Sequence, residues 1–318
     1  MGWKILLPQE LMPEGRALLE SHGHTLVDGS GFETADIIRD IGDCDAIIVR
    51  ISKITREVFE AAPKLKALAR HGAGYDAVDL QAAREHGVRC VYAPIANSTS
   101  VAETALLLML YCSRNVTALQ KTWVNDYYKA KLKIHKTTLD GKTLGLYGCG
   151  NVGSRLAMRA LAMEMKVLAY DPYLAPDRFP QGVEVTDDLH RLFAESDYLS
   201  LHAPNTPQTR HIINRESLAQ MKPSAFLINT ARGALVDEQA LYEACRDGVI
   251  AGAGLDAIAQ EPVDPANPLL TLENVIILPH IGGNTVEAAH RASYMAAQGI
   301  EELYEGKTPT WPIPGFET

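Results

Sequence analysis

The sequence has 318 residues, 47% hydrophobic and 22% charged, with 30 basic against 39 acidic side chains and a formal net charge of −9. A chain of this length has room for two domains of about 150 residues, each with its own core. The acidic surplus argues against nucleic acid or an anionic membrane as main partner, since either selects a basic face.

Cysteines 44, 90, 112, 149 and 245 are odd in number, scattered and free of any C-x-x-C pair. That pattern fits reduced thiols in a cytoplasmic protein and no metal site. The opening “MGWKILLPQELMPEGR” has Lys4 and Pro8 inside its apolar stretch and lacks a cleavage pattern, so no signal peptide is expected. Leu6 stands where a myristoylation signal needs serine or threonine. The apolar run at 105–111 is too short for a bilayer, and no membrane partner is expected.

Along the chain, short apolar runs alternate with helical patterns, the mark of a parallel α/β protein. The first five strands are expected at 3–7, 24–27, 46–50, 67–70 and 89–93. “PEGRALLESHG” between the first two reads as a helix stopped by glycine. “APIANSTS” (93–100) reads as a linker into one long helix over about 100–121, with Glu103 in its first turn and an apolar face “ALLLMLY”. Six further strands are expected at 142–148, 166–171, 197–202, 225–230, 251–256 and 275–280, the number a complete dinucleotide-binding sheet needs. A final amphipathic helix is expected over 285–306, with an irregular proline-rich tail after it.

“GLYGCGNVGSRLA” places Gly148, Gly150 and Gly153 in a G-x-G-x-x-G pattern between an expected strand and helix. Glycine permits the tight turn at 148, backbone approach to a pyrophosphate at 150, and close helix packing at 153. Asp171 ends the next strand eighteen positions beyond Gly153, where a carboxylate bonds the adenine-ribose hydroxyls and repels a 2′-phosphate. No arginine adjoins it in “YDPYL”, so NAD is favoured over NADP.

In an open α/β sheet, ligands sit outside the carboxyl ends of the strands. At those ends stand His202, Thr230 with Arg232, Asp256 with Glu261 close behind, and His280. Hydride transfer to a keto acid needs a proton donor and a group that grips the substrate. Histidine, with a reference pKa of ~6.5, suits the first task, and a neighbouring carboxylate favours its protonated form. Arginine suits the second, because its planar fork binds a carboxylate bidentately. Arg232, at the mouth of “FLINT”, is read as that group. His202 is read first as shaping the “HAPNT” turn, with Thr206 toward the cofactor.

The segments “GKTLGLYGCGNVG”, “YDPY”, “LHAPNTPQTRHIIN”, “INTARGALVDEQAL”, “GAGLDAIAQEP” and “LPHIGG”, in this order, resemble the D-isomer-specific 2-hydroxyacid dehydrogenase family over almost the whole chain. Within it, the sequence is most similar to the phosphoglycerate dehydrogenase and hydroxypyruvate/glyoxylate reductase group. The resemblance implies two Rossmann-like, doubly wound parallel-sheet domains with a cleft between them. Residues 1–98 and 286–318 would form a discontinuous, flavodoxin-like substrate domain, and 99–285 the NAD-binding Rossmann domain. Arg232, Glu261 and His280 would be the catalytic arginine, glutamate and histidine. The cofactor groove would take Asn151 and Val152 with the three glycines and Pro172 beside Asp171. His202, Ala203, Pro204 and Thr206 would contribute from one loop, and Thr230 with Ala231 from the next. Asp256 would lie near the carboxamide, with Gly282 and Gly283 completing the groove.

For the substrate, the resemblance implies the loop Gly72, Ala73 and Gly74, hinge residue Asn97, Ser52, and the arginines Arg50 and Arg70. The two arginines have two readings, as holders of a substrate phosphate or as scaffold ion pairs. Ala73 stands where the phosphite-oxidising branch has lysine, and Glu261 where formate dehydrogenases have glutamine. The expected activity is NAD-dependent hydride transfer on a small D-2-hydroxy or 2-keto acid by a homodimer. The alternative is an NAD(H)-sensing, corepressor-like protein of the same fold. With the sequence ending at Thr318, feedback by serine through a regulatory extension is not expected.

Overall fold

The structure is a computed structural model describing residues 2–317. It divides into two compact units, one running to Asn97 and resuming at Asn284, the other Ser98–Gly283. The first unit is built on β1 (Lys4–Leu7), β2 (Thr25–Asp28), β3 (Ala46–Val49), β4 (Ala67–Arg70) and β5 (Arg89–Tyr92). Their order is β2-β1-β3-β4-β5, all parallel. Central strands of a parallel sheet are covered on both faces and read as continuous apolar runs, as “AIIV” of β3 does with all four residues buried.

Helices α1 (Pro13–Ser21), α2 (Thr34–Ile41), α3 (Arg56–Glu60) and α4 (Leu80–Glu85) link these strands. Proline opens α1, where its missing N–H costs nothing, and the Asp79 carboxylate caps α4 by accepting from the Ala82 amide at 2.8 Å.

The second unit opens with α5 (Ser98–Arg114), α6 (Val116–Thr122) and α7 (Tyr127–Leu132). Then come β6 (Thr143–Tyr147), α8 (Gly153–Ala162), β7 (Lys166–Tyr170), β8 (Val183–Val185), α9 (Leu189–Glu195) and β9 (Tyr198–Leu201). α10 (Arg215–Gln220), β10 (Phe226–Asn229), α11 (Glu238–Arg246), β11 (Gly252–Leu255) and β12 (Val275–Ile277) complete it. The parallel sheet runs β12-β11-β10-β9-β6-β7-β8. The strand order reverses direction at the β6/β9 pair, the place where such sheets open a ligand crevice. The closing helix α12 (Val286–Tyr304) belongs to the first unit, capped by Thr285, whose hydroxyl accepts from the Ala288 amide. It presses so closely on the sheet that a Cβ on Gly299 would come within 2.8 Å of Val91.

Three expectations need correction. The second sheet has a seventh strand, β8, that six runs did not include: it has only three residues, pairs with β7 alone at the sheet edge, and leaves Val185 and Glu184 exposed. An edge strand with one partner needs no apolar run to mark it. The helix expected over 100–121 is two helices, because Asn115 takes a left-handed conformation (φ 50) that breaks the hydrogen-bond ladder. It also starts earlier, at Ser98, so Glu103 lies beyond the first turn. The last strand ends at Ile277 rather than 280, which puts His280 on a loop. The C-terminal tail is pinned to β5 by Tyr92 N–H to Trp311 O (3.1 Å) and Ile313 N–H to Cys90 O (2.9 Å), burying Ile313 and Phe316. Among the described residues, no helix is long and apolar enough to cross a membrane.

Candidate active site

The turn between β6 and α8 carries the glycine pattern. Gly148 has φ 96, and a Cβ there would meet the His202 backbone at 2.9 Å. A Cβ on Gly153 would meet Gly148 O at 2.3 Å, so only glycine lets α8 start this close to the turn. A Cβ on Gly150 would meet nothing within 4 Å: this face is open. Asn151 is exposed and Val152 half-buried at the start of α8, whose first amides have no partner within the helix. Asp171, directly after β7, accepts from Cys149 N–H (2.8 Å) and Tyr173 N–H (3.1 Å). The turn and the carboxylate are therefore one bonded unit, and Pro172 leads the chain away exposed.

His202 follows β9 and lies under that turn, its Nε2 2.9 Å from Ser200 Oγ. Burial pushes its pKa down to about 3, so the ring is neutral scaffold. Ala203 and Pro204 carry the chain into a tight turn in which Thr209 Oγ1 donates to Pro204 O (2.6 Å) and accepts from Thr206 N–H (2.8 Å). Thr230, after β10, has a buried hydroxyl with no hydrogen-bond partner in the structure. An orphaned hydroxyl after β10 and an open glycine face after β6, with only β9 between the two strands, fit a dinucleotide lying across the strand ends.

The ionisable groups gather after β10, β11 and β12. The Nδ1–H of His280 donates to Glu261 Oε2 at 2.7 Å. That bond, with the charges of Glu261 and Asp256, holds the imidazole pKa above its ordinary value against the opposing pulls of burial and Arg232. Burial pushes the Glu261 carboxyl up, but the His280 bond and charge, the Ile258 amide and Arg232 outweigh it, leaving it below the usual carboxylate range. Both shifts favour the charged pair, imidazolium beside carboxylate. Buried Asp256 accepts from Ile281 N–H (2.8 Å) and Gly282 N–H (2.7 Å), fixing the “HIGG” backbone just beyond His280. A Cβ on Gly282 would meet that carboxylate at 2.6 Å, while Gly283 is half-buried and ends this unit. His280 itself has φ 54, a conformation non-glycine residues rarely adopt.

Arg232 donates from Nη1 to Ala231 O at 2.7 Å. Its loop is set by Asn229, which the sequence reading passed over. The Asn229 amide donates to Arg232 O (2.9 Å) and Ala257 O (3.3 Å) and accepts from Ala231 N–H (3.1 Å). A fully buried polar residue inside “FLIN” was the only available signal. Glu238 does similar work, accepting from Ala259 N–H (2.5 Å) to hold the loop that carries Glu261. Gly233 has no alternative, since a Cβ would meet the Ile258 backbone at 1.9 Å.

In the first unit, Arg50 and Ser52 follow β3, and Arg70 ends β4. Arg70 Nη1 donates to Val49 O (3.2 Å) and His71 O (3.0 Å), bracing the ends of both strands. Gly72, with φ 145, opens the loop through Ala73 and Gly74. Asn97 is the last residue before the second unit.

The description “D-isomer specific 2-hydroxyacid dehydrogenase, NAD binding domain” matches residues 106–282. The chain belongs to this family of NAD-binding oxidoreductases. It is 41% identical over 301 residues to a hydroxypyruvate reductase of Thermotoga maritima, covering 94% of this chain and 97% of that one. It is also 41% identical over 306 residues to a D-3-phosphoglycerate dehydrogenase of Methanocaldococcus jannaschii, covering 96% of this chain but 58% of that longer protein. A glyoxylate reductase from Paecilomyes thermophila superposes with a TM-score of 0.87 at 29% identity, covering 98% of each chain.

Proposed function

We propose that this protein carries out reversible hydride transfer between NAD(H) and a small D-2-hydroxy or 2-keto acid of the phosphoglycerate or hydroxypyruvate/glyoxylate type. The observation that carries this is the 2.7 Å His280–Glu261 bond beside the Arg232 loop, on the sheet that also bears the glycine turn. Bound NADH supplies the hydride. Arg232 grips the substrate carboxylate and polarises its carbonyl, His280 donates a proton from Nε2 to the nascent alkoxide, and Glu261 holds the resulting charge distribution in place. Asp256, by accepting from the amides of Ile281 and Gly282, keeps the His280 loop from drifting.

The unit from Ser98 to Gly283 is assigned to the cofactor and the other to the substrate. The groove residues are the glycine turn with Asn151 and Val152, Asp171 and Pro172, the loop from His202 to Thr206, Thr230 and Ala231, and Asp256 with Gly282 and Gly283. Asp171, bonded to the turn, supports NAD over NADP. The backbone of Gly72, Ala73 and Gly74 is assigned to the substrate carboxylate, with Arg50, Ser52, Arg70 and Asn97 around it. The protein is further proposed to be a cytoplasmic homodimer.

The test is oxidation of NADH with glyoxylate, hydroxypyruvate, pyruvate, 2-ketoglutarate and phosphohydroxypyruvate, repeated with NADPH. Turnover of at least one, faster with NADH, is expected. Absence of turnover on every keto acid contradicts the reading.

A further inference from the structure

A cavity of about 120 Å³ lies between the carboxyl end of α5 and the amino ends of β6, β9 and β10. These are the strand ends opposite to the glycine turn, His202 and the Arg232 loop. At about 3.3 Å per residue, a four-residue strand such as β9 or β10 puts about 13 Å between the two ends of the sheet.

One wall of the cavity is apolar. The Tyr198 and Phe226 rings stack there at 5.7 Å with planes 15° apart. The Cys112 thiol beside them is pushed up to about 12 by burial, so it stays neutral. The remaining wall is polar. Asn115, in the left-handed conformation that ends α5, brings an amide, and Ser224 a hydroxyl. Lys142, the residue before β6, is half-buried and lines the same space.

Asp197 also lines it, but both of its oxygens are engaged. Oδ2 accepts from Thr143 N–H at 2.8 Å, and Oδ1 is 3.1 Å from Lys222 Nζ. Among the described residues, no carboxylate lies within ion-pair distance of the Lys142 ammonium. A half-buried charge without a counterion is costly unless a ligand supplies one.

We infer that this cavity binds a small carboxylate, its anion held by Lys142 and Asn115 and its short apolar body against the Tyr198–Phe226 wall. A cavity of about 150 Å³ takes benzene, so this one has room for about six heavy atoms. The site is separate from the cofactor crevice and does not depend on the hydride-transfer reading.

The experiment follows the fluorine resonance of trifluoroacetate, a small carboxylate with an apolar body, titrated with the full chain. Arg232→Ala serves as the background, because it removes the arginine proposed to hold carboxylates in the crevice. Line broadening in Arg232→Ala should give a Kd on the order of 1 mM. Adding Lys142→Met should weaken binding about tenfold, the loss of one charge-assisted hydrogen bond. Adding Lys142→Arg instead should restore most of it, with circular-dichroism melting unchanged in both. Absence of broadening in Arg232→Ala overturns the inference, as does equal affinity with and without Lys142→Met. Loss with Lys142→Met that Lys142→Arg does not recover shows a structural role for the lysine and also overturns it. Displacement of trifluoroacetate should need less butyrate than inorganic phosphate; the reverse order overturns the carboxylate assignment.

Discussion

The bond between His280 and Glu261 fixes the sign of the pH dependence. It holds the imidazole pKa above the ordinary histidine value, with burial and Arg232 pulling the other way. Keto-acid reduction needs the protonated ring, so kcat/KM for reduction should be full below that raised pKa and fall as pH rises through it. Oxidation needs the neutral ring and should show the opposite limb. Glu261→Gln removes the charge that favours the imidazolium, so the falling limb of the reduction profile should move to lower pH. A limb that stays in place means that Glu261 does not govern the titrating group.

At the same scale, some site residues were legible and others were not. Gly148, Gly150, Gly153 and Asp171 form a local pattern whose spacing is set by one strand, one turn and one helix. Glu261 and His280 are nineteen positions apart, and their pairing was legible only because both follow neighbouring strands, β11 and β12. Asn229 was missed because its three bonds run to backbone atoms on two different loops. Arg50 Nη2 reaches Asn284 Oδ1 across 234 positions of chain, and no local pattern encodes that.

At the scale of elements, central strands announced themselves because a parallel sheet buries both of their faces. Edge strand β8 did not, and neither did the break at Asn115, since one residue in a left-handed conformation leaves hydropathy unchanged. That break has a consequence. Helices α6 and α7 have seven and six residues, too short to hold together by backbone bonding alone. None of the α6 residues is buried, while Trp123, Tyr128 and Leu132 are 56%, 71% and 68% exposed. So much apolar surface on so little helix supports the proposed second copy as its cover. Tyr128→Asp combined with Leu132→Asp should shift sedimentation from dimer toward monomer at micromolar protein. A variant that sediments as the wild-type dimer places the interface elsewhere, and a monomeric wild type removes the dimer altogether.

At the scale of the whole molecule, the alternation of strands and helices foretold two parallel sheets, and the structure has sheets of five and seven strands. Motifs spread over that second sheet converge because each stands at the carboxyl end of a strand. On the proposed function, this convergence performs proton-coupled hydride transfer. The most direct measurement pairs NADH binding, read by fluorescence titration, with steady-state reduction of the best keto acid, in wild type and in His280→Ala. NADH affinity should be nearly the same in both proteins, while kcat/KM should fall about 10²- to 10⁴-fold in the variant. Retention of near wild-type turnover by His280→Ala, or tight NADH binding by a wild type that turns over nothing, would contradict the account.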